Sequence, residues 1–110
     1  MAETEAAKER QWFLYLIECT DASIYTGITV DVAARYAAHA SGKGARYTRA
    51  HPPARLLASF CFPDRSSASK AEYRIKQLNA TEKRRLATDQ ANQTSLNDTM
   101  NASNASIASL

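Results

Sequence analysis

Two short apolar runs stand close together near the start of the chain. Trp12-Phe13-Leu14-Tyr15-Leu16-Ile17-Glu18-Cys19 is followed, after only Thr20-Asp21-Ala22-Ser23, by Ile24-Tyr25-Thr26-Gly27-Ile28-Thr29. Both are rich in aromatic and β-branched residues and too short for buried helices, so each is predicted as a strand. The four residues between them favour turns, and the pair reads as a β-hairpin. A glycine inside the second strand, Gly27, signals a bulge or a close approach to its backbone.

Beyond the hairpin, helical and extended signals alternate. Asp31 is a good N-cap for a helix from Val32 to about Ala40, with Val32, Tyr36 and Ala40 as its apolar stripe. Arg35 and His39, four apart, share another face. Ser41-Gly42-Lys43-Gly44 stops this helix. The polar, basic stretch Ala45 to Pro53 reads as a loop, and Arg55 to Phe62 as a third strand. Ser66 or Ser67 caps a second helix to about Leu78, with Ala68, Ala71, Ile75 and Leu78 at helical spacing. Asn79-Ala80-Thr81-Glu82 has the form of a capping box ahead of a short basic helix, Lys83 to Ala87. The order β-β-α-β-α-α describes an α+β domain: a small three-stranded antiparallel sheet, begun by a hairpin and covered by helices.

The domain occupies residues 12–88. Residues 1–11 read as a flexible lead. From 89 to 110, Asn, Ser, Thr, Ala and Gln dominate without aromatics, and the chain from about Ala91 reads as a disordered tail. With 45% hydrophobic and 23% charged residues, wholesale disorder and a membrane protein are both disfavoured. The longest apolar run, Trp12 to Ile17, falls far short of the ~20 residues of a spanning helix. Two cysteines, Cys19 and Cys61, make neither a disulfide framework nor a four-cysteine zinc site. No apolar signal segment is seen in the first ten residues, so a reducing, cytoplasmic setting is expected. Between Gln11 and Thr88, twelve Lys/Arg face six Asp/Glu, a balance of +6 that favours polyanionic partners.

Several residues carry chemistry or have a plainer explanation. Glu72 sits at the edge of its helix's apolar stripe, where a carboxylate is costly unless it pairs with a base or binds a cation. On their own, Tyr15 and Tyr25 read as core or cross-strand aromatics. Arg35 and His39 are a solvated helix face, or part of a site. Lys43, Arg46, Tyr47 and Arg49 place an aromatic among cations, which suits a nucleic-acid backbone with a stacking platform. No Ser-His-Asp, Cys-His, H-E-x-x-H or G-x-G-x-x-G arrangement occurs.

Taken in order, these residues resemble the GIY-YIG nuclease superfamily. Phe13-Leu14-Tyr15 and Tyr25-Thr26-Gly27 resemble its paired strand motifs, and Asp31 to His39 its Arg-bearing helix. Glu72 falls where the family keeps its metal-binding Glu. Ser41 to Arg49 and Ile75-Lys76-Gln77-Leu78 resemble the small stand-alone bacterial members. These are related to the catalytic subunit of the structure-specific, Holliday-junction nuclease. The likeness spans about Gln11 to Thr88. It implies a divalent-metal-dependent endonuclease acting on DNA (duplex, flap or branched), in repair or recombination. A single Mg²⁺, with Mn²⁺ as the alternative, would bind Glu72, and Arg35 would steady the phosphate. Tyr15 or Tyr25 would act as general base, His39 would assist, and Gly27 would let backbone approach. Lys43, Arg46, Tyr47, Arg49 and Lys76 would hold nucleic acid. Asn79 is the candidate for the family's late Asn. A protein partner for targeting, a binding module without activity, and an RNA-directed nuclease remain alternatives on the sequence alone.

Overall fold

The computed structural model describes residues 11–96. Its elements are β1 (Trp12–Cys19), β2 (Ile24–Thr29), α1 (Val32–Ala40), α2 (Arg46–Ala50), β3 (Pro53–Phe62), α3 (Arg65–Lys76) and α4 (Ala80–Leu96). The strands form one sheet in the order β2-β1-β3, antiparallel throughout. The α+β reading holds, with one helix more than expected: α2 lies in the stretch read as a loop.

β1 is the middle strand, and both of its faces are covered. Leu14, Tyr15, Leu16 and Ile17 are all at most 2% exposed, which explains an unbroken apolar run in place of alternation. Leu14 and Leu16 pack with Ala58 and Phe60 of β3, Ala71 and Ile75 of α3, and Leu86 and Ala87 of α4. Tyr15, Ile17 and Cys19 point the other way, onto Tyr25 and onto Val32 and Tyr36 of α1. The hairpin closes as predicted. Asp21 Oδ1 accepts from the Ser23 amide at 3.1 Å and from its hydroxyl at 2.6 Å. Ala22 takes a left-handed φ of 72°. Arg84 reaches over from α4 to hold that turn, donating to Ala22 O at 2.6 Å and to Glu18 at 3.0 Å.

The caps follow local chemistry. Asp31 accepts from the Ala34 amide at 3.0 Å. α3 is capped by Asp64, not by a serine, because its carboxylate reaches the Ser67 amide at 2.8 Å. Asn79 and Glu82 form the expected reciprocal box at 2.9 and 3.0 Å. The helix they open runs well past Ala87, so the disordered tail expected from 89 does not hold over 89–96. Gln90 anchors this extension, donating to Ser59 O of β3 at 2.6 Å. The lead, apart from Gln11, and the rest of the tail lie outside the described residues. No helix among them is long and apolar enough to cross a membrane.

Candidate active site

The hairpin register sets the first two groups. Tyr15 lies opposite Gly27. A Cβ at position 27 would stand 2.6 Å from Tyr15 Cζ, so the glycine leaves room for the ring. The pairing of β1 with β2 is regular, and Gly27 marks a close approach, not a bulge. Tyr25 packs on the same face, its ring centroid 6.2 Å from that of Tyr15.

α1 adds Arg35 and His39. His39 is not solvated: it is 1% exposed, while Ala40 of the expected stripe faces out. Both imidazole nitrogens are engaged. Thr48 Oγ1 of α2 lies 3.1 Å from Ala45 O, and we assign its one hydroxyl proton there. Its oxygen therefore accepts from His39 Nδ1 at 2.6 Å, which leaves Nε2 to accept the Tyr15 hydroxyl at 3.0 Å. Burial pushes the Tyr15 phenol up to about 12, with the neighbouring Arg35 opposing and Tyr25 adding to the rise. Burial, then the Arg35 charge, holds His39 below its ordinary value. At neutral pH a protonated phenol thus faces a neutral imidazole.

α2 closes the cluster from the side. Tyr47 stacks on Tyr25 at 5.8 Å and on His51 at 4.1 Å. His51 Nδ1 meets Asp21 Oδ2 at 2.6 Å, which ties α2 back to the hairpin turn. Bonds from Ser23, then from His51, hold the Asp21 carboxyl well below the usual range. Gly44 brings backbone onto the imidazole, since a Cβ there would stand 2.7 Å from His39 Cγ. Thr48, His51 and Asp21 escape a sequence reading. Their partners lie 9 and 30 residues away, and no periodicity marks such contacts.

Glu72 comes from α3. Its carboxylate is 22% exposed and pairs with Lys76 Nζ at 3.2 Å. Lys76 in turn lines a cavity of about 270 Å³ with Tyr25 and Tyr47. No three His, Cys, Asp or Glu gather among the described residues. One accessible carboxylate with an exposed lysine partner fits a hard cation that keeps most of its waters. Of the expected nucleic-acid contacts, Tyr47 joins the cluster and Lys76 the cavity. Arg49 lines a second hollow with His39 and Thr48, and Lys43 and Arg46 are exposed beside it. Asn79 is committed to its helix cap and joins no part of the cluster.

A family model of the GIY-YIG catalytic domain matches residues 11–85. The chain belongs to the GIY-YIG family. GIY-YIG catalytic domains are nuclease domains, so its general activity is of the nuclease type, on a nucleic-acid substrate. A UPF0213 protein of Cupriavidus pinatubonensis is 56% identical over 75 residues, covering 68% of this chain and 83% of that protein. Another from Cupriavidus necator is 59% identical over 73 residues, 66% and 79% of the two chains. The solution NMR structure of the UPF0213 protein BH0048 from Bacillus halodurans is similar at 45% identity and a TM-score of 0.45. It covers 71% of this chain and 83% of that one. Against the GIY-YIG pattern, the strand tyrosines, the helix arginine and the histidine four residues on form one cluster. The glutamate stands on α3, in the opposite layer, with Lys76 as its partner.

Proposed function

We propose that this chain is a Mg²⁺-dependent DNA endonuclease acting on branched or distorted DNA. The observation that carries the reading is the Tyr15–His39–Thr48 chain of hydrogen bonds beside Arg35. A phenol with a raised pKa is a poor base alone. Joined to a neutral imidazole, it can pass its own proton on as it takes one from water. The water oxygen bonds to phosphorus as the P–O3′ bond breaks. The water proton goes to Tyr15, the Tyr15 proton to His39 Nε2, and the 3′ oxygen takes a proton from solvent. Arg35, next to Tyr15, holds the negative charge that gathers on the phosphate oxygens. It also opposes a lasting charge on His39, so the imidazole gives the proton up again once the step is over. Tyr25 walls the pocket and orients the phosphate with Tyr47. Glu72 would hold Mg²⁺ or Mn²⁺, which when bound supplies Lewis-acid charge at the phosphate and the leaving oxygen. Lys43, Arg46 and Arg49 extend the contact along the backbone.

Purified protein is incubated with end-labelled duplex, single-stranded, flap and four-way-junction DNA and matched RNA, in Mg²⁺ or EDTA. Cleavage that requires Mg²⁺ and favours branched DNA is expected. Glu72→Ala should lose at least ~10²-fold in rate with its melting unchanged. Glu72→Ala cutting at the wild-type rate would overturn the reading. Salt-sensitive binding without a product would replace it with a binding module that needs a partner.

A further inference from the structure

Lys83 is a cation in the wrong place for stability. It lies in the first turns of α4, at the positive end of the helix dipole, and is 8% exposed. Its Nζ donates at 3.3 Å to Ile24 O, on the free edge of β2. An ammonium has three donors, and no carboxylate pairs with this one among the described residues. Burial, then the charge of Lys76, holds its pKa below the usual lysine value. Nearby, the Thr26 hydroxyl is buried with no hydrogen-bond partner. Both residues line the cavity of about 270 Å³ that also contains Tyr25, Tyr47 and Lys76. Lys76 already has Glu72, but the buried ammonium of Lys83 and the unpartnered Thr26 hydroxyl leave this opening short of an anion.

We infer that this cavity is a second phosphate subsite, taking a phosphodiester of the substrate strand next to the one that is cut. The inference rests on the nuclease reading. Tyr25 belongs to both places: its ring lies 5.1 Å from His39 on one side and walls the cavity on the other. A strand laid across β2 would set one phosphate near Arg35 and Tyr15 and its neighbour between Lys76 and Lys83. The arriving anion satisfies the spare donors of Lys83. Thr26 gains an acceptor after a small rotation. The subsite thereby fixes the register of the strand against the reacting groups.

The test uses labelled flap DNA and the full chain in a Glu72→Ala background, with and without Lys83→Met, across a salt series. Lys83→Met should weaken binding roughly tenfold near 0.1 M salt and make the log–log salt slope shallower by about 0.9. Thr26→Val should weaken it a few-fold without changing the slope. A neutral methylphosphonate, walked one linkage at a time, should find one position that weakens the lysine-bearing protein but not Lys83→Met. A lower melting temperature with an unchanged slope would overturn the proposal, making Lys83 only a brace for β2. An effect confined to 5′-phosphorylated ends would also overturn it, assigning the site to a terminal phosphate. Wild-type protein assayed in parallel separates the two readings. Cutting with an unaltered Lys83→Met slope removes the subsite alone. An altered slope with no cutting removes the nuclease alone.

Discussion

Tyr15 shows how much one side chain depends on atoms that are missing elsewhere. Its ring occupies the space that a side chain at position 27 would fill. Gly27→Ala is therefore expected to displace the phenol from His39 and to cut nuclease turnover by at least ~10²-fold, about as far as Tyr15→Phe. Parallel rate measurements on the two variants check this. His39 is held below its ordinary 6.5, so folding favours its neutral form. Its contribution to stability is complete above 6.5 and is lost as pH falls through the lowered value. Tyr15 works in the opposite sense: its contribution is complete below 10.0 and lost as pH rises toward about 12. Melting followed downward from pH 6.5 should fall more steeply for the wild type than for His39→Gln. Parallel curves would mean that the imidazole is not the titrating group.

At the scale of elements, legibility tracks how local the cause is. β1, β2 and α1 are readable because their signals lie within a few residues: apolar runs, a four-residue turn, an Asp cap. Spacing also places the strand tyrosines, Arg35, His39 and Glu72 on their elements, but it leaves each with a plainer explanation, and only the resemblance to GIY-YIG nucleases groups them as a site. α2 is not readable. Its five residues carry no apolar stripe, and its shape depends on Thr48 meeting His39 and Tyr47 lying on Tyr25. Thr26 and Lys83 are equally silent, since their meaning comes from a strand edge 59 residues away from the lysine. The reach of α4 exceeds its sequence signal because Asp, Asn, Thr and Ser are indifferent helix formers, and the helix is held there by packing. Cutting the chain after Thr88 removes the Gln90–Ser59 bond and nearly half of α4. A loss of about 1 kcal/mol, or roughly 4–8 °C in melting temperature, is expected by thermal denaturation. An unchanged melting point would show that α4 beyond Thr88 contributes nothing.

For the whole molecule, the layers divide the work. The layer under α3 and α4 holds most of the aliphatic core. The layer under α1 and α2 holds most of the polar chemistry, and β1 belongs to both. Leu14 to Ile17 are covered on each face and paired with a strand on each edge. Their amides can meet solvent only when the entire domain opens, so they should be the slowest to exchange hydrogen for deuterium. The Tyr15 amide belongs to that group. An opening that frees the backbone of Tyr15 therefore dissolves the core with it. Trimming the periphery, as in a cut after Thr88, leaves that strand in place; only loss of the core carries Tyr15 away from its partners.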